Sequence, residues 1–218
     1  MKPAEIVARS SHVLLDFDGP VCAVFGAVTD RAIAEELRRK GAGWGLEFPS
    51  EVLDTSDPFD VLKFAARVDS QAAVRLEELF RECEVAAVET APATPGTSDL
   101  LRRVRTAGGV ITIVSNNSAA AVRSYLQRVG LEDLVHGISA RDDAEIQHLK
   151  PSPYLLQQVI SAGEVQPSAY VMIGDSTSDI EAARAAGTAV IAFANKPGKH
   201  ERFAALAPDG IVTSMADL

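Results

Sequence analysis

The chain has 218 residues, 47% of them hydrophobic, enough to bury a sizeable core as one large domain or two small ones. Its formal net charge of −9 argues against nucleic acid or an anionic membrane as principal partner. It does not exclude an anionic substrate, because a bound metal and a lysine can reverse the field locally. Two cysteines, Cys22 and Cys83, are too few for a disulfide framework and predict packed thiols in a reducing compartment. No apolar run approaches the ~20 residues that span a bilayer. The N-terminal stretch, with Lys2, Glu5 and Arg9, lacks an apolar signal core. The expectation is a cytoplasmic protein.

In chain order, residues 13–17 form a short strand apolar on both faces, as a central parallel strand is. A helix over 27–40 follows, with Thr29 or Asp30 as N-cap, and stops at Gly41-Ala42-Gly43. Ser56-Asp57-Pro58 caps a helix running to about 68. Asp69-Ser70 starts another over 71–88, where Val74, Leu76, Leu79 and Phe80 fall near helical spacing. The whole of 23–90 thus reads as helical. After a break at 91–96 the pattern alternates: helix 97–106, strand 110–114, helix 118–129, strand 135–139, a helix from 151–153 to 161, strand 170–173, helix 178–186, strand 189–193, helix 199–206 and strand 211–212. Such alternation predicts a parallel sheet covered on both faces, interrupted after its first strand by a helical insertion.

Polar motifs close three of the strands, and sites form outside the carboxyl ends of parallel strands. Asp16 and Asp18, two residues apart, share one face if extended, and Gly19 permits a sharp turn. Two carboxylates so close disfavour each other's ionisation. Mg²⁺, bound by carboxylates and substrate phosphate, is a reason to keep them; the alternative is a turn in which an Asp caps a helix. Ser115-Asn116-Asn117 ends the second strand before a helix, where a hydroxyl and free N–H groups either bind phosphate or simply cap. Asp175 follows the strand at 170–173, and Asp179 fits both a metal site and the first turn of the next helix. Lys150, between these motifs, offers an ammonium to stabilise a carboxylate or a transferring phosphoryl group. The histidines show no metal spacing. Trp44 reads equally as substrate-facing or packing, and 195–199 as a surface turn.

These four motifs, in this order, resemble the haloacid dehalogenase superfamily over about residues 10–21 and 92–218. The resemblance implies a Rossmann-like parallel-sheet core and Mg²⁺ as cofactor. It implies Asp16 as nucleophile and Asp18 as general acid/base. Ser115, Asn116 and Lys150 would hold the phosphoryl group. Asp16, Asp18 (through its carbonyl) and Asp175 would hold the metal, with Asp179 as second acid. Only the gap between Asp16 and Ser115 has room for an inserted domain, which places an α-helical cap at 22–91 and the core at 1–21 and 92–218. The family's usual Thr after Asp-Gly, and its Asp three residues on, are here Pro20 and Ala23. Pro20 fixes φ and lacks an N–H, which alters the entry into the cap hinge.

The activity implied is Mg²⁺-dependent phosphatase action on a small phosphorylated metabolite, phosphoglycolate phosphatases being one such subfamily. A phosphomutase or phosphonatase, the latter with Lys40 or Lys63 as Schiff-base lysine, is a second reading. A non-catalytic binding protein is a third. Specificity is expected in the cap, near Trp44 and Arg67.

Overall fold

The structure, a computed structural model, describes residues 1–26 and 29–218. In chain order its elements are α1 (Pro3–Arg9), β1 (His12–Leu15), α2 (Asp30–Gly43), α3 (Ser50–Asp54), α4 (Pro58–Val68), α5 (Ser70–Val88), α6 (Thr97–Thr106), β2 (Val110–Ser118), α7 (Ala119–Val129), β3 (Gly137–Arg141), α8 (Tyr154–Ala162), β4 (Tyr170–Gly174), α9 (Thr177–Ala186), β5 (Ala189–Phe193), α10 (Lys199–Ala204) and β6 (Gly210–Val212). The six strands form one parallel sheet in the order β3-β2-β1-β4-β5-β6. This is the α/β, Rossmann-like core that the sequence predicts, with a helical insertion after its first strand.

The apolar runs alternate between two buried faces. Val13, Leu15, Ile111, Ile113, Val171 and Ile173 pack with Leu101 of α6 and Val122 of α7. Leu14, Val114, Met172 and Val190 pack on the other face with Leu156 of α8 and Ile180 of α9. Burial on both faces is why these strands lack polar alternation. Helices α2–α5 enclose a third cluster that includes Ile33, Leu37, Leu62, Leu76 and Phe80. The longest of them, α5, also sends Ala87 and Val88 into the first cluster, so it is shared between insertion and sheet.

Several local expectations change. Helix α2 runs through Gly41 to Gly43, because Phe48 and Leu46 cover the bare Gly41 backbone that a Cβ would fill. Its predicted start at 27–28 lies outside the described residues, and Thr29 is its N-cap. Helices α1 and α3, of seven and five residues, carry too few turns for a visible period. Strand β2 continues past Val114 to Ser118, with a register shift against β3 between Ser115 and Ser118. Strand β3 starts two residues later than expected. Both cysteines are free. Among the described residues no helix is long and apolar enough to cross a membrane.

Candidate active site

The order of the strands reverses at β1, which lies between β2 and β4 with Leu15 opposite both Ile113 and Ile173. This register brings the residues after β1, the outer half of β2 and the residues after β4 to one crevice. A cavity of about 480 Å³ opens there. Asp16, Asp18, Ser115, Asn116, Lys150 and Asp175 all line it.

Lys150 organises the floor. Its side chain is buried, and Nζ donates to Asp16 Oδ1 at 2.8 Å, Asp179 Oδ1 at 2.5 Å and the Val114 carbonyl at 3.0 Å. All three ammonium protons are thereby used. Burial opposes the charge, but Asp16 and Asp179 more than compensate and raise the Lys150 pKa. The lysine's backbone is held by Asn116, whose Oδ1 accepts from the Lys150 N–H at 2.8 Å and whose Nδ2 donates to the Lys150 carbonyl at 3.0 Å. The Asn116 side chain therefore clamps the lysine loop. Only its main chain is left for the phosphate role that the resemblance implies.

Burial pushes the Asp16 carboxyl up to about 7; Asp179 adds to the rise and Lys150 opposes it. Asp18 is raised to about 6, again by burial first, with the hydrogen bond from the Val24 N–H to its Oδ1 (2.8 Å) pulling the other way. Asp18 is not one of the clustered acids, although the Asp175 charge still adds to its rise. The carboxylate oxygens of Asp16, Asp175 and Asp179 lie within 4.8 Å of one another. An all-oxygen set of this charge suits a hard divalent cation such as Mg²⁺. The cradle has no spare room: Gly19 has φ 101°, and a Cβ there would come within 2.4 Å of the Asp175 carboxyl carbon.

Asp179 fills the helix-capping role that its sequence position allows. It forms a capping box with Ser176 at the start of α9, through Oδ2, while Oδ1 takes the lysine. The segment 195–199 is more than a surface turn. Asn195 Nδ2 (2.9 Å) and Lys199 Nζ (2.5 Å) both donate to Asp175 Oδ2 and fix that carboxylate from behind. Trp44 and Arg67 do not line the cavity: Arg75 lies over the exposed Trp44 ring, and Arg67 donates to the Lys63 carbonyl. The insertion instead contributes Phe25, Asp30, Ser56, Asp57, Phe59 and Lys63.

Sequence reasoning also missed a buried network behind the Ser115 motif. Glu84 of α5 accepts from Asn117 Nδ2 (3.0 Å) and the Ser118 N–H (2.9 Å), and Arg141 of β3 donates to it at 2.6 Å. Arg141 also donates to Glu77 (2.5 Å) and to the Asn116 carbonyl (3.1 Å). Glu77 and Glu84 stand on the buried face of α5 with Ala73 and Phe80. Two acids seven residues apart on an apolar face were the available signal.

Fold and site together define an α/β protein with a lysine-anchored, acid-rich switch-point site. Residues 53–193, more than half of the chain, match the family model for haloacid dehalogenase-like hydrolases, and the chain belongs to that family. It is 30% identical over 124 residues to phosphoglycolate phosphatases of Synechococcus elongatus (57% of this chain, 56% of that protein) and of Vibrio vulnificus (57% and 54%). The chain thus spans about half the length of these relatives. Its fold is similar to that of CbbY from Rhodobacter sphaeroides solved with xylulose-(1,5)bisphosphate, with a TM-score of 0.69 and 22% identity over 96% of each chain.

Proposed function

We propose that the protein is a Mg²⁺-dependent phosphatase acting on a small phosphomonoester, with Asp16 as nucleophile. The observation that carries the reading is the Asp16–Lys150–Asp179 arrangement beside Asp18. It offers one carboxylate to an incoming phosphorus atom and a second two residues away, both with a pKa raised by burial. The family and the phosphatases named above support it.

Asp16 attacks phosphorus as the bond to the leaving alkoxide breaks, giving an aspartyl-phosphate. Asp18, whose pKa of about 6 keeps a fraction protonated near neutrality, gives its proton to the alkoxide. As a carboxylate it then takes a proton from the water that attacks phosphorus, and Asp16 leaves as free carboxylate. Ser115 and the Asn116 N–H hold the phosphoryl oxygens, and Lys150, assigned to the same group by the resemblance, acts on it through its charge while its three protons stay on Asp16, Asp179 and the Val114 carbonyl. Asp16, Asp175 and the Asp18 carbonyl would hold Mg²⁺, with Asp179 as a supporting acid; when bound, the ion would neutralise charge on carboxylate and phosphate.

Residues 22–91 act as a cap over the core of 1–21 and 92–218. Both crossings run side by side, with Ala23 N–H donating to the Pro92 carbonyl at 3.1 Å and Cys22 bridged to Ala93. This suits a paired hinge.

The test is phosphate release from a panel of phosphorylated metabolites, with Mg²⁺ and with EDTA, for wild type and Asp16→Asn. Release that needs both Mg²⁺ and Asp16 is expected. Undiminished release by the variant sinks the mechanism.

A further inference from the structure

The cavity has two halves of different chemistry. The core half holds Lys150 and the acids assigned above to the metal. The half contributed by the insertion carries Asp30, Asp57, Ser56, Phe59 and Lys63. Both acids sit where helices begin: Asp30 opens α2 and Asp57 caps α4. Their positions have a simple structural use, because carboxylates favour helix N-termini. It does not remove their charge from the cavity. The Asp57 carboxylate accepts the Phe59 N–H at 2.8 Å, so that helix end is already satisfied by the protein. Asp30 and Asp57, both solvent-exposed, also feel each other: partial desolvation raises the pKa of Asp30, and the charge of Asp57 raises it further.

Three cations lie nearby. Lys63 lines the cavity; its Nζ lies 3.3 Å from Asp60 in a solvent-exposed pair, and its charge also acts on Asp57, so it offsets part of the acidity of this half. Lys196 reaches Asp18 and Asp30 electrostatically but does not line the cavity. Lys199 is bound to Asp175. Among the described residues, the half that would face the organic part of a phosphomonoester is acidic and rich in hydrogen-bond acceptors.

Resting on the phosphatase reading, we infer that this cap half selects phosphomonoesters whose organic part is hydroxylated or cationic, and rejects those carrying a carboxylate, with Asp30 and Asp57 setting the preference. A polyol or amino-alcohol phosphate donates hydrogen bonds to both acids. Phosphoglycolate would place its carboxylate against them. The inference therefore separates this chain's substrate from that named for its sequence relatives.

Three esters of similar size test it: phosphoethanolamine, glycerol phosphate and phosphoglycolate. The expected kcat/KM for phosphoglycolate is at least about tenfold below the other two, the scale of one unfavourable charge pair in a partly screened site. Asp57→Asn, which keeps a good N-cap, and Asp30→Asn should each narrow that gap several-fold. The same ranking should appear when the esters are titrated by calorimetry, with Mg²⁺, into Asp16→Asn protein. Phosphoglycolate handled as well as or better than the others overturns the inference, as does a gap that neither variant alters. If wild type turns over none of the esters, nor p-nitrophenyl phosphate, the phosphatase reading fails; the calorimetric ranking then still decides the charge preference.

Discussion

Arg141 and Glu84 form a buried ion pair at 2.6 Å that joins β3 of the sheet to α5 of the inserted helices. The pair sits directly behind the Ser115 motif, since Glu84 also takes the Asn117 amide and the Ser118 N–H. Arg141 adds the Asn116 carbonyl, and its guanidinium lies 4.6 Å from the centre of the Phe80 ring. One end of α5 is thus tied to the strand that would bind phosphate.

Breaking this network leaves a buried charge without its partner, which typically costs about 3–5 kcal/mol. Glu84→Ala and Arg141→Ala should each lower unfolding free energy by about that amount in denaturant titrations. The double variant should lose much less than the sum. Simple additivity would mean that the two side chains do not act as a pair.

The acids of the site make metal-free stability depend on pH. The native pKa of Asp18, about 6, lies above its ordinary value of 3.8, so the folded protein holds this proton more tightly than the unfolded chain. The contribution is present below pH 3.8 and lost as pH rises through about 6. Asp18→Asn removes the loss. In EDTA its melting temperature should exceed that of wild type at about pH 8, by an amount equivalent to roughly 1–2 kcal/mol after allowance for solvent screening. The two should converge at about pH 4. A constant difference across this range would rule out titration as the cause.

Much of this was legible in the sequence, because the sheet and the motifs are local signals. A strand buried on both faces is a continuous apolar run, and its carboxyl end is where polarity returns; Asp16, Ser115 and Asp175 were found that way. What escaped depends on distance. Lys150 is 134 residues from Asp16, and only the folded chain shows its ammonium shared between Asp16 and Asp179. Lys199 and Asn195 sit in a segment with turn composition, and no local pattern says that they grip Asp175. Trp44 and Arg67, expected near the specificity site, do not line the cavity, because composition marks out a cap without saying which of its side chains meet the core.

Lys199 and Asn195 give a prediction about metal use. They hold the outer oxygen of Asp175, as second-layer groups do for metal-ligating carboxylates. Lys199→Met and Asn195→Ala should raise the Mg²⁺ concentration for half-maximal phosphate release by about 10–100-fold. The rate at saturating Mg²⁺ should change less. An unchanged Mg²⁺ dependence would separate these residues from the metal.

Gly19 supplies the last test, because here backbone and site geometry are the same constraint. Its φ of 101° is strained for any residue with a Cβ, and that Cβ would stand 2.4 Å from the Asp175 carboxyl carbon. Relaxation has to move either the turn that carries Asp18 or the Asp175 carboxylate, which is proposed to hold the metal. The turn is held by the Gly19 N–H donating to the Cys22 carbonyl at 2.7 Å, and by Thr94 Oγ1 donating to the Gly19 carbonyl at 2.5 Å. Asp175 is held by Lys199 and Asn195, so neither side yields freely. Gly19→Ala should cost about 1–3 kcal/mol of stability and lower kcat by at least about 100-fold. Adding Lys199→Met frees Asp175 to move away; it should recover part of the lost stability while leaving kcat low. Calorimetric melting and single-turnover phosphate release on the two variants measure these effects separately.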